Sequence, residues 1–241
     1  MRNLYYLLIL ICSLLLPVVL SFHRKNPFYQ NIKFIAWAIL SVFLVFIPWD
    51  IFFTKNKIWG FNPDYLLGFY LLSLPLEEWL FFIVVNYSVL FIFHLIELNI
   101  KIAKTLIFFS RFFFVLVIFV LLFVLIISVP DKIYTFTVSL VGMALAIIMK
   151  IIRDERFKVL FIITLLISLL PFLIVNGALT GFFSSEPIVY YDDTKNLSFR
   201  LFTIPIEDLI YNFDMILLAS FTYYFSKNYR ANKSEQYEEK G

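Results

Sequence analysis

Two short stretches combine residue types suited to proton chemistry with surroundings in which charge is costly. Pro75-Leu76-Glu77-Glu78 runs into Trp79-Leu80-Phe81-Phe82, and 130 residues later Pro205-Ile206-Glu207-Asp208 runs into Leu209-Ile210-Tyr211-Asn212. Each motif puts two adjacent carboxyls in an apolar run and contains no Lys or Arg. An acid at the centre of a membrane helix opposes insertion by roughly 3 kcal/mol, so four would oppose it by about 12 kcal/mol. A use for them is implied. A neutral carboxyl beside an anionic one is a proton donor and a proton acceptor held in hydrocarbon. Neighbouring helix positions diverge by about 100°, so one acid of each pair is expected to face a shared cavity. Glu207, Tyr211 and Asp214 follow one helical stripe, and Glu78, Phe82 and Asn86 follow another. That divergence suits one acid role and one base role.

The elements that must position these acids are membrane helices. The chain is 62% hydrophobic and 15% charged, with 6 glycines in 241 residues, far from an average soluble domain. Windows of about 17–25 apolar residues mark membrane spans. Seven are expected, over Leu4–Phe22, Phe34–Phe53, Tyr65–Ile96, Leu106–Ser128, Ile133–Ile151, Phe157–Asn176 and Phe199–Ser226. The first is read as a helix rather than a signal peptide, since no small-residue cleavage site follows it. Windows one to three correspond to windows five to seven. The expected architecture is therefore an all-α, polytopic bundle: a first three-helix repeat over 1–98, a connector helix over 99–131, a second repeat over 132–226 and a polar, partly disordered tail over 227–241. An odd number of crossings between the copies gives a parallel repeat.

Lys and Arg divide between the two sides as six against fourteen when alternate loops are pooled. The richer side is cytoplasmic, which puts the N-terminus outside and the C-terminus inside a cell membrane. The net charge of +3 reports this topology and implies no nucleic-acid partner. The third window, about 32 residues or 48 Å if straight, exceeds the roughly 30 Å hydrocarbon core, so a bend at Pro75 is expected. That bend would free the carbonyl of Leu71, and Pro205 would free that of Leu201. Counting from the window starts puts Glu77 about 18 Å deep and Glu207 about 12 Å deep.

Other chemistries find no support. There is no phosphate-binding glycine motif. Cys12 is the single cysteine, which excludes a disulfide framework. His23 and His94 are read as interfacial rather than metal-ligating, Asp192-Asp193 is too isolated for a diphosphate site, and the last helix has no Lys for a retinal. Aromatic residues make up 20% of the chain. Most are expected to face lipid, and a minority could stabilise a carbocation by cation–π contact.

Four stretches carry a family resemblance: Ile47-Pro48-Trp49-Asp50, Pro75 to Phe82, Val175-Asn176-Gly177-Ala178-Leu179-Thr180-Gly181, and Ile204-Pro205-Ile206-Glu207-Asp208-Leu209-Ile210-Tyr211-Asn212-Phe213. They resemble the signature segments of the small integral-membrane lycopene cyclases, which occur as paired bacterial subunits, as fused bacterial and archaeal chains, and as a domain of fungal bifunctional carotenoid enzymes. The resemblance covers both repeats, as in the fused form. It implies a lycopene β-cyclase of carotenoid biosynthesis that works without redox change, cofactor or metal. Glu77, Glu78, Glu207 and Asp208 would be catalytic, with Glu78 and either Asp208 or Glu207 handling the proton. Trp49, Asp50, Pro75, Trp79, Phe82, Asn86, Asn176, Pro205, Tyr211 and Asn212 would contact substrate. Asp50 has no acidic counterpart in the second copy, where the nearest polar group is Asn176. The implied partners are lycopene or a related linear carotenoid reaching the site from lipid, the lipids themselves and other carotenoid-pathway enzymes. Two alternatives fit the acid repeat: a small proton-coupled transporter, and a non-catalytic carotenoid-binding subunit.

Overall fold

The computed structural model describes residues 2–128 and 131–238. Its helices are α1 (Tyr5–Ser21), α2 (Ile32–Lys55), α3 (Leu76–Asn99), α4 (Lys104–Ile127), α5 (Ile133–Ile151), α6 (Glu155–Leu179) and α7 (Ile206–Glu238). The six helices before α7 are each long and apolar enough to cross a membrane. Short strands occupy the connections at one end: β1 (Trp59–Phe61), β2 (Tyr70–Leu71), β3 (Leu74–Pro75), β4 (Val189–Tyr191), β5 (Arg200–Leu201) and β6 (Ile204–Pro205). β1 pairs antiparallel with β4, β2 with β3, and β5 with β6.

The third and seventh helices begin later than the apolar windows suggest. Residues between Tyr65 and Pro75 form the end of a 3-10 turn and the β2–β3 hairpin, and those between Phe199 and Pro205 form the β5–β6 hairpin. Hydropathy alone does not separate such hairpins from a helix, because Tyr70, Leu71, Leu74, Leu201 and Ile204 are as apolar as helix residues. Leu72 (φ +53°) and Ser73 (φ +76°) turn the first hairpin, and Phe202 (φ +57°) helps turn the second. Non-glycine residues pay a backbone penalty in this region of roughly 1–2 kcal/mol each, so the turns persist only because their surroundings fix them.

Pro75 therefore starts α3 rather than bending it. It sits immediately before Leu76 with φ −64°, where its lack of an N–H removes no helical hydrogen bond. The carbonyl of Leu71 accepts a hydrogen bond from Trp79 Nε1 at 3.3 Å, so it is not freed into a cavity. Pro205 precedes α7 in the same way. α3, with 24 residues, is about 36 Å long, enough to cross the roughly 30 Å hydrocarbon core without needing a bend. The acids lie in the first turns of α3 and α7, not the roughly 18 Å and 12 Å into a helix that the window starts suggested.

One further expectation changes. α7 continues to Glu238, so the polar segment after Ser226 is helical that far; residues 239–241 of the expected tail lie outside the described residues. His94, near the end of α3, is buried, with Nδ1 3.4 Å from the Tyr223 hydroxyl, in an aromatic cluster with Phe28.

The core is aromatic and aliphatic. Phe82, Phe93, Phe157, Phe161 and Tyr223 are fully buried between the helices, and Phe46 of α2 meets Tyr211 of α7 edge-on at 5.0 Å. Between helices in lipid, dispersion replaces removal from water as the gain, and each such aromatic pair adds about 0.5–1.5 kcal/mol. Ion pairs lie at both ends: away from the strands Lys227 meets Glu97 at 2.6 Å and Arg111 meets Glu155 at 3.2 Å, and at the strand end Arg200 of β5 meets Asp193 at 2.6 Å.

Candidate active site

The helix directions bring the polar residues to one end. α1, α3, α5 and α7 begin there and supply Tyr6, Glu77, Glu78, Tyr134, Glu207 and Asp208 from their first turns; α2 and α6 finish there and supply Asp50 and Asn176 from their last two turns. All eight are buried.

Within each acid pair the two carboxyls do different jobs. Glu77 accepts a hydrogen bond from the backbone N–H of Leu67 at 2.6 Å, and Glu207 accepts one from the N–H of Leu197 at 2.8 Å. Each ties down the loop ahead of its own hairpin, ten residues back. Thr135 adds a bond to Glu207 at 2.6 Å. The other member of each pair faces inward: Glu78 and Asp208 line one small chamber together with Asp50.

The chamber's hydrogen bonds form two unequal halves. Glu78 accepts from the Tyr6 hydroxyl at 2.7 Å, and the Asp50 carboxyl lies in hydrogen-bonding range of Glu78. Asp50 also accepts from the Tyr211 hydroxyl at 2.7 Å. Asp208 accepts from the Tyr134 hydroxyl at 2.7 Å, the Asn176 amide at 2.7 Å and the Tyr191 hydroxyl at 2.8 Å. Asn176 therefore stands to Asp208 as Asp50 stands to Glu78, one amide in place of one acid. Two carboxyls can bond to each other only if one carries a proton, whereas an amide donates unaided.

The β1–β4 pair forms a lid on the chamber at the strand-bearing end. β1 and β4 place Trp59 opposite Tyr191, and Trp59, Phe61, Val189 and Tyr191 all line the chamber. Tyr191 and Tyr134 stack with centroids 6.1 Å apart, and Trp59 meets Tyr134 edge-on at 5.2 Å. Gly60 gives the lid its close fit, since a Cβ there would come within 2.5 Å of the Tyr190 ring. Burial and the neighbouring Asp208 push the Tyr191 phenol well above its ordinary pKa, so it stays a donor toward that carboxyl. The space within is about 60 Å³, walled largely by aromatic faces, with its acids, tyrosines and amides supplying the polar groups.

Of the residues expected to contact substrate, Asp50, Asn176, Tyr211 and Asn212 line the chamber. The others lie elsewhere. Pro75 and Pro205 start helices. Trp49 packs against Phe46 and Tyr211. Trp79 packs against Phe43. Phe82 is core, and Asn86 donates to the Phe82 carbonyl at 2.7 Å. Sequence reasoning passed over Tyr6, Tyr134, Tyr191 and Trp59. A signal for two of them was present: Tyr6 and Tyr134 occupy the first turns of the first and fifth helices, at nearly the spacing that separates the acid motifs.

The family pattern described as lycopene cyclase matches residues 3–96 and 131–226, most of the chain. The chain belongs to the lycopene cyclase family. The matched segments include Glu77, Glu78, Glu207, Asp208 and every polar residue of the chamber. Among curated proteins, the bifunctional lycopene cyclase/phytoene synthase of Podospora anserina is 35% identical over 63 residues, covering 25% of this chain and 11% of that protein. Those of Arthroderma gypseum (32% over 85 residues, 34% of this chain and 14% of that protein) and Neurospora crassa (35% over 63 residues, 25% and 10%) are similar in the same way. The aligned segments span only about a tenth to a seventh of these relatives' length. No solved structure matches the chain.

Proposed function

We propose that this chain is a membrane-embedded lycopene β-cyclase that closes the ends of linear carotenes by proton transfer alone. In this reading a carboxyl protonates the terminal double bond of the polyene. The resulting tertiary cation is attacked by the neighbouring double bond, which forms the ring bond and a new ring cation. A carboxylate then removes a ring proton and leaves a ring double bond, so the product is an isomer of the substrate.

The observation that carries the reading is the unequal provision of donors to the two halves of one chamber. Asp208 receives three donors and needs no proton of its own, which suits an anion that faces the cation and accepts the ring proton. Glu78 and Asp50 have a place for a proton between them, which suits the donor. Aromatic faces of Trp59, Tyr134 and Phe172 add cation–π stabilisation. The β1–β4 lid keeps out water that would trap the cation as an alcohol. Glu77 and Glu207 act as positioning residues for the two hairpins.

The bundle is read as seven spans built from a parallel three-helix repeat with α4 as connector. The matching hairpin register, helix start and loop tether around each acid pair support that reading. The excess of Lys and Arg at the opposite end supports an outward-facing chamber. Expression in cells that accumulate lycopene tests the proposal. γ- and β-carotene should appear with the unaltered chain and vanish with Glu78→Gln or Asp208→Asn. Unchanged lycopene with well-expressed, folded protein would overturn it.

A further inference from the structure

A second cavity opens beside the acid chamber. It occupies about 450 Å³ between α1, α3 and α6, and it shares Phe81, Phe172, Asn176 and Asn212 with the chamber. Sites that bury a whole organic ligand run to roughly 300–1,000 Å³. The groove falls in that range and the chamber, at about 60 Å³, falls far below it. The chamber alone takes only the end of a larger molecule.

The groove is built for hydrocarbon. Its hydroxyls are turned away from the cavity into their own helices: Ser13 to the carbonyl of Ile9 at 2.6 Å, Ser88 to that of Val84 at 2.8 Å and Ser168 to that of Leu165 at 3.1 Å. Serine at these positions gives small volume without an unsatisfied donor. Along α3 the lining runs from Phe81 to Ile92, about 16 Å at 1.5 Å per residue, or half of the roughly 30 Å hydrocarbon core. At the rim, Leu16 and Ile174 are 66% and 54% exposed, so the groove opens on the membrane-facing side between α1 and α6.

Building on the cyclase reading, we infer that the α1–α3–α6 groove holds the near half of the linear polyene, with its reacting end among Asp50, Glu78 and Asp208 and its far half leaving between α1 and α6 into lipid. The protein then grips one half of the substrate at a time. The second end is reached only after the chain leaves and returns reversed.

Cys12 lines this groove, is exposed, and is the single cysteine of the chain, which provides a readout apart from activity. The protein in liposomes is treated with an apolar maleimide, with and without lycopene. At a carotene load about ten times its Kd, mass action leaves about one-eleventh of the groove open, so labelling should slow about tenfold. Ser88→Trp, which fills the groove floor, and Ser13→Trp, which narrows its mouth, should abolish both protection and cyclisation while the tyrosines and acids stay in place. Should one variant fail to fold, the other variant and the protection measured on the unaltered chain decide. Cyclisation by the unaltered chain, without protection of Cys12 and with either folded tryptophan variant at full rate, would overturn the groove. An unaltered chain that forms no cyclic product would instead sink the cyclase reading on which the groove rests.

Discussion

Replacing Asp208 by Asn separates its chemistry from its packing, because the amide has nearly the same shape. The carboxylate holds three donors, two on one oxygen (Asn176 and Tyr191) and one on the other (Tyr134). An amide oxygen can keep the first two, and the amide NH2 then faces the Tyr134 hydroxyl. One hydrogen bond to a charged group is lost, about 1.5–3 kcal/mol. At about 2–4 °C per kcal/mol for a chain of this size, melting should fall by about 3–12 °C. The chemical effect is larger. A positioned acid or base contributes about 10²–10⁴-fold, so cyclisation should fall by that factor. Tyr134→Phe removes the same hydrogen bond but leaves the carboxylate. Even if the full 1.5–3 kcal/mol is lost in the transition state, the rate falls only about ten- to 150-fold. Both variants are purified, their melting is followed by intrinsic fluorescence, and initial rates are measured by chromatography of carotenes from liposomes. A folded Asp208→Asn protein within tenfold of the unaltered rate would refute the assignment of Asp208 to proton transfer.

Other predictions follow from the same geometry. Asp50→Asn keeps an acceptor for Tyr211 but places a permanent donor beside Glu78; cyclisation should drop by 10²-fold or more, with melting nearly unchanged. Glu77→Gln and Glu207→Gln loosen the loop tethers at Leu67 and Leu197; each should lower stability by about 1.5–3 kcal/mol and expose its hairpin to protease, with a smaller loss of rate than Asp208→Asn. Gly60→Ala puts a Cβ 2.5 Å from the Tyr190 ring, so the lid must shift; a hydroxylated, water-trapped carotene should appear by mass spectrometry beside the cyclic product.

The sequence made the acids legible but misplaced the helices that carry them. Proline followed, after one aliphatic residue, by two acids is a helix-start signal, since proline fits the first turn and acids there face the positive end of the helix dipole. The mostly apolar stretch from Tyr65 to Phe82 hid that signal, and a start was read as a bend. The division of labour within each pair followed from the 100° step between neighbours, which the placements of Glu77 against Glu78 and Glu207 against Asp208 display. The correspondence of Asp50 with Asn176 was harder to see. It spans 126 residues where the acid motifs span 130, so loops of slightly different length shift it out of register. Tyrosines near the ends of membrane windows read as interfacial anchors, and only the packing of α1 and α5 against α3 and α7 turns Tyr6 and Tyr134 toward carboxylates. Trp59 and Tyr191 meet through pairing of two loops distant in sequence, which no local pattern encodes.

The central claim is that a proton from the acid chamber begins ring closure and nothing is oxidised or reduced. It is tested most directly by equilibrating the protein in D2O, mixing it in excess over lycopene, and weighing the cyclic product after one turnover. A gain of one deuteron per ring formed is the predicted result. A cyclic product without deuterium, or one lighter than lycopene by the hydrogens that an oxidation removes, would contradict it.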